Sequence, residues 1–218
     1  MLGMNHPKTL SSTSHLAVTY RNQGWWDEAE KLEVDVMNGT KEKLGSNHPD
    51  TLSSMANLAV TYRHQGRWDE AEKLEVDVMN GRIEKFGSNH PDTFSIMANL
   101  AATYWDQGRW DEAEKLEVDV MNGRIEKLGS NHPDTLSSMA NLAYTYWHQG
   151  RFDAAHSLLF TTVKEMQHVM GTQHPIVLQY IEGLNQLSRG FQFVELIFMR
   201  NTMGIQLNTL SIIPFATG

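Results

Sequence analysis

The sequence predicts an all-α protein, an α-α superhelix in which antiparallel helix pairs stack in a row. Three observations predict it. The dipeptide His-Pro occurs five times, at His6-Pro7, His48-Pro49, His90-Pro91, His132-Pro133 and His174-Pro175, each copy 42 residues after the last. Within each interval apolar residues recur at three- and four-residue spacing, as they do along one face of a helix. A glycine closes each such run, where a helix can exit through a left-handed residue. A period of roughly 20–50 residues with helical patterning is that of a solenoid, whose units bury their apolar faces against neighbours.

The repeat sets the elements in order. Four helix pairs are expected at about 7–45, 49–87, 91–129 and 133–171, then a terminal capping helix at 175–189, so that an array over 1–188 precedes an irregular tail at 190–218. The second unit shows why each pair forms. Pro49 suits a first helical turn because its missing N–H would be unpaired there, and Asp50 puts negative charge at the positive end of the dipole. Leu52, Met55, Leu58, Ala59 and Tyr62 make the apolar stripe of helix A, which Gln65-Gly66 ends. Helix B resumes with Trp68, Ala71, Leu74, Val78, Met79, Ile83 and Phe86 and closes at Gly87. Its acids Asp69 and Glu70 come first and its bases Arg82 and Lys85 last, matching the dipole.

Asn80-Gly81, with Asn38-Gly39 and Asn122-Gly123, falls inside helix B. After Val76-Asp77-Val78 it also fits a β-hairpin with a tight turn. The apolar stripe continues across the glycine at helical spacing, which favours a helix carrying a weak point of about 1 kcal/mol per Gly relative to Ala. The fifth unit keeps one helix: Val177, Leu178, Ile181, Leu184 and Leu187 share a face, then Arg189-Gly190 stops it, a segment suited to covering the open end of the array. Phe191 to Gly218 matches nothing in the repeat.

The run Leu58-Ala59-x-x-Tyr62-x-x-x-Gly66-x-Trp68-x-x-Ala71 resembles the tetratricopeptide repeat, and the 42-residue unit with His-Pro-Asp and Asn-Leu-Ala resembles its kinesin light chain variety. The pattern recurs with Leu16-Ala17, Tyr20, Gly24, Trp26 and Ala29, with Leu100-Ala101, Tyr104, Gly108, Trp110 and Ala113, and with Leu142-Ala143, Tyr146, Gly150, Phe152 and Ala155. Small residues let helices A and B approach, and the aromatic rings fill the layer between units. Glu33, Glu75 and Glu117 depart from the pattern: the resemblance implies a large apolar residue there, as Leu159 supplies in the fourth unit. That leaves the packing of helix B in the first three units open.

Units two and three differ at six of 42 positions, five of them in helix A: Leu52/Phe94, Ser54/Ile96, Val60/Ala102, Arg63/Trp105 and His64/Asp106. The resemblance implies that helix A lines the concave groove and that the last three of these positions face it. The candidate groove residues are therefore Arg21 and Arg63 as a basic half, Trp105, Tyr144 and Trp147 as an aromatic half, and His64 and His148 beside them; aromatic residues and Arg are the usual interface anchors. Drift at unrestrained surface positions is the alternative. One turn earlier stand Asn57, Asn99 and Asn141, with His15 at the matching place. Amides can pair with the backbone of an extended peptide, the resemblance implies cargo-peptide contact at these three, and a helix-to-helix ladder is the other reading.

Other chemistry finds little support. There are no cysteines, so thiol chemistry and zinc-thiolate sites are excluded. The repeated histidines stand at least a helix-packing distance of roughly 8–10 Å apart, too far to share a metal ion; His48 and its equivalents are expected to fix the entry to helix A. The acids of helix B recur from unit to unit as a solvated face would. No phosphate loop is present, so no cofactor and no enzyme activity are expected. A net charge of −8 with interspersed bases disfavours nucleic acid, and no apolar run is long enough to span a membrane; a cytoplasmic location is the expectation. The expected function is a protein-interaction scaffold holding an extended peptide or partner segment in the groove. Two alternatives stand beside it: a fragment of the C-terminal sensor region of a nucleotide-binding signalling protein, or an array self-associating through an uncapped N-terminal helix.

Overall fold

The structure, a computed structural model, describes residues 6–186. Eight helices run in sequence: α1 (Pro7–Asn22), α2 (Trp26–Leu44), α3 (Pro49–His64), α4 (Trp68–Phe86), α5 (Pro91–Asp106), α6 (Trp110–Leu128), α7 (Pro133–His148) and α8 (Phe152–Met170). Residues 175–186 are helical as well. Odd-numbered helices are the A helices and even-numbered the B helices. Each packs on the one before and the one after, and α3 also touches α5. The described residues contain no strand, and the fold is the α-α superhelix the sequence predicts. The end of the terminal helix beyond 186 and the tail at 190–218 lie outside the described residues.

The recurrent histidine is the N-cap of every A helix. Nδ1 of His48 accepts a hydrogen bond from the Asp50 N–H at 3.2 Å, and His6, His90 and His132 do the same for Lys8, Asp92 and Asp134. His174 repeats the contact with the Ile176 N–H. One orphan donor of each first turn is thereby satisfied, with proline beside it where no donor exists. At the far end Gly66, at φ 75°, makes the left-handed turn into helix B.

Helix B runs unbroken through Asn-Gly in α2, α4 and α6, which settles the hairpin alternative. The glycine is a packing requirement and not just a weak point. Gly81 is buried, and a β-carbon there would stand 2.9 Å from a Leu52 methyl. At Gly123 it would collide with the Phe94 ring. The notch admits the bulky first-turn residue of the paired A helix, and Phe94 fills it further than Leu52 does. The recurrent alanines Ala29, Ala71, Ala113 and Ala155 are fully buried and bring A and B together.

Polar struts join successive units on the outer edge. Arg67 pairs with Glu30 at 2.8 Å and lies over the Tyr62 ring at 4.1 Å. Arg109 with Glu72 and Tyr104, and Arg151 with Glu114 and Tyr146, repeat the arrangement. Gln65, Gln107 and Gln149 donate to the same glutamates. In the first unit Trp25 holds the arginine position and packs on Tyr20. The fourth unit and the last helix are knit differently, by one apolar cluster of Leu136, Ala140, Ala143, Leu159, Val163, Met166 and Val177.

Candidate functional site

The three departures from the apolar pattern are buried between units. Glu33, Glu75 and Glu117 are 3%, 0% and 7% exposed. Each faces a threonine of the following A helix: Thr61 donates to Glu33 Oε2 at 2.6 Å and Thr103 to Glu75 Oε2 at 2.7 Å. Thr145 stands over Glu117 more loosely, since neither Thr145 Oγ1 nor Glu117 Oε2 has a hydrogen-bond partner. The packing left open by the sequence is thus a carboxyl–hydroxyl seam. Burial, opposed by the Thr103 hydroxyl and Arg63, pushes the Glu75 carboxyl up to about 7. Burial also pushes Glu117 up to about 7, opposed by Thr145. Glu33 is raised too, against Thr61 and Arg21.

The arginines at the start of the predicted groove are engaged in this seam. Arg21 Nε lies 3.3 Å from Glu33 Oε1, and its Nη1 donates to the Asn57 carbonyl of the next unit at 3.2 Å. Arg63 lies 3.7 Å from Asp106 in the following A helix, and its charge also acts on Glu75. Both are partly buried, so their charge is largely met inside the array.

A concave groove of about 1010 Å³ opens further along. Its wall is formed mainly by the C-terminal halves of α3, α5 and α7, which bring together Arg63, His64, Trp105, Asn141, Tyr144, Trp147 and His148 of the candidate residues. Trp105, Trp147 and Tyr144 are half-buried, Asn141 is exposed. His64 stacks on Trp26 with ring centroids 4.4 Å apart, and His148 packs on Trp105 and Trp110. Where Asp106 takes the histidine position, Trp68 has no ring to cover it and stays 39% exposed. Burial, followed by Arg63, lowers the His64 pKa.

The other candidates lie elsewhere. Asn57 lines a second depression of about 320 Å³ with His15, Leu10 and Ser54. Asn99 lines neither. Glu117 and Trp68, which the sequence marks for packing and not for binding, also shape the main groove, as does the groove-facing Asp106. The terminal helix closes one end: Gln186 lines the groove, Tyr180 stacks on Tyr144 at 6.4 Å, and the Tyr144 hydroxyl occupies the space where Gly183 lacks a β-carbon.

Stacked helical hairpins with a side-chain-lined concave wall define a repeat scaffold. Tetratricopeptide repeat profiles match residues 9–50, 51–92 and 93–159, and the chain belongs to the tetratricopeptide repeat family. No curated relative matches the sequence. Solved structures do. The Podosopora anserina kinesin light chain-type protein of nearly identical TPR-like repeats aligns with a TM-score of 0.70 at 27% identity, covering 90% of this chain and 98% of that one. A variant of that protein with one glutamine replaced by methionine gives 0.70 and 26%, covering 94% of this chain and 100% of that one. BtubC (BKLC) from P. vanneervenii shares the fold, with a TM-score of 0.70 at 18% identity, covering 97% of this chain and 87% of that chain. Repeats of this family mediate protein–protein interactions, and the array is of the scaffold kind. No helix of the described residues is long and apolar enough to cross a membrane.

Proposed function

We propose that the concave wall of α3, α5 and α7 binds an extended segment of a partner protein. The observation that carries the reading is the groove itself. Two successive A helices, α5 and α7, present Trp105, Tyr144 and Trp147 along about 1010 Å³ of concave surface that α3 extends with Arg63 and His64, the geometry and residue types by which repeat scaffolds seat a peptide. Asn141 borders this surface and supplies an amide for the partner's backbone; Arg63, His64 and His148 set its rim. Asn57, Asn99 and Arg21 lie outside this groove and would serve only a segment that extends beyond it. The test compares a partner's affinity for the wild-type chain with that for Trp105→Ala and Trp147→Ala. A tenfold or greater loss at unchanged helicity supports the reading, and equal affinities for all three proteins refute it.

A further inference from the structure

Resting on that reading, we infer that the groove takes a basic side chain of the partner segment, a lysine or arginine lodged between Trp105 and Trp147 against Glu117. Four equivalent positions differ in what faces the helix B acid. In the first unit Arg21 meets Glu33 at 3.3 Å. In the second Arg63 acts on Glu75. In the fourth Trp147 replaces the arginine and Leu159, fully buried, replaces the acid. The third unit keeps the acid and has lost the base: Trp105 stands where the arginine would, and no cation among the described residues acts on Glu117.

Glu117 is 7% exposed, its Oε2 has no hydrogen-bond partner, and it lines the groove. A buried carboxylate without a cation beside it is costly and is relieved by an opposite charge brought against it. The remaining charges of the groove do not supply one. Arg63 is turned to Asp106 at 3.7 Å, and His148 is packed on Trp105 and Trp110. Asp106 adds negative charge, and the indole faces of Trp105 and Trp147 favour a cation over an anion. An incoming guanidinium or ammonium restores to the third unit what Arg21 gives the first.

The experiment selects peptides from a random displayed dodecapeptide library on the full chain, then measures a selected basic peptide against its neutral version, with citrulline for arginine or norleucine for lysine. The expected result is enrichment of Arg or Lys at one position and at least tenfold weaker binding of the neutral peptide. That discrimination falls below twofold in Glu117→Gln and Glu117→Leu, the latter copying the fourth unit, and is retained in Glu33→Gln. Peptides whose binding is lost in Trp147→Ala but which show no such discrimination, or keep it in both Glu117 variants, overturn the inference and leave the groove reading standing. Failure to select any peptide, or binding indifferent to Trp147→Ala, overturns both. Selection of basic peptides by an Arg189→Ala/Arg200→Ala chain alone makes the chain's own arginine the occupant and overturns the assignment to a partner.

Discussion

The buried carboxyls give the array an unusual dependence on pH. Glu75 and Glu117 are each pushed from the ordinary 4.5 up to about 7 by burial. Between these values the folded chain holds protons that the unfolded chain releases, so stability falls as pH rises through that window; the contribution is fully present below 4.5 and lost above about 7. A move from 4.5 to about 7 corresponds to about 3 kcal/mol for each glutamate. Within the window one described group opposes this. His64, lowered by burial and then by Arg63, favours higher pH just below 6.5. The lowered carboxyls Glu30, Glu112 and Glu114 act only at and below about 4.5. The midpoint of thermal unfolding, followed by circular dichroism at 222 nm, is therefore expected to rise on going from pH 8 to pH 5, by roughly 5–10 °C if one glutamate's contribution is expressed. Glu75→Gln is expected to raise the midpoint at pH 8 and flatten the profile. A wild-type midpoint that falls from pH 8 to pH 5, or a Glu75→Gln chain with the wild-type slope, refutes the reasoning.

The helix B notch makes glycine replacement depend on its partner. Gly123→Ala gains about 1 kcal/mol of helix propensity but forces back the Phe94 ring, an overpacking cost of about 1–3 kcal/mol, so urea unfolding is expected to show net loss, with recovery in Gly123→Ala/Phe94→Leu. Gly81→Ala, against the more yielding Leu52, is expected to fall near neutral in the same assay. His132→Ala is expected to cost about 1 kcal/mol by removing the cap on α7, whereas His132→Asn, which keeps an acceptor, costs less; hydrogen exchange at Asp134 reads the difference locally. Thr103→Val removes the hydroxyl that serves Glu75 and is expected to cost about 1–3 kcal/mol at pH 8 and less at pH 5, which paired denaturant melts at the two values measure.

The fold was legible because its signals are local and repeated. His-Pro marks a cap and a first turn, adjacent in the chain in every unit. The stripes of α3 and α4 needed no partner to be seen. What the sequence withheld depends on distant residues. Gly81 looks like a weakness until Leu52 is placed against it. Glu75 looks like a misfit until Thr103, 28 residues on, is set above it; the matched recurrence of Thr61, Thr103 and Thr145 was the available signal. Arg21 reads as a free groove cation, yet its acceptors are Glu33 in the paired helix and a backbone carbonyl 36 residues away. Direction along a helix face was visible; occupation of that face was not.

The two kinds of seam also divide the array unequally. A linear stack loses order at its weakest junction first and propagates from there. The first three modules are joined to their successors across buried acids whose desolvation becomes costly when they ionise, while Leu136, Leu159, Met166 and Val177 weld the last hairpin to its lid without regard to proton concentration. In mildly alkaline solution the junctions at Glu75 and Glu117 should part first, leaving the last hairpin and its lid as the final piece to come apart.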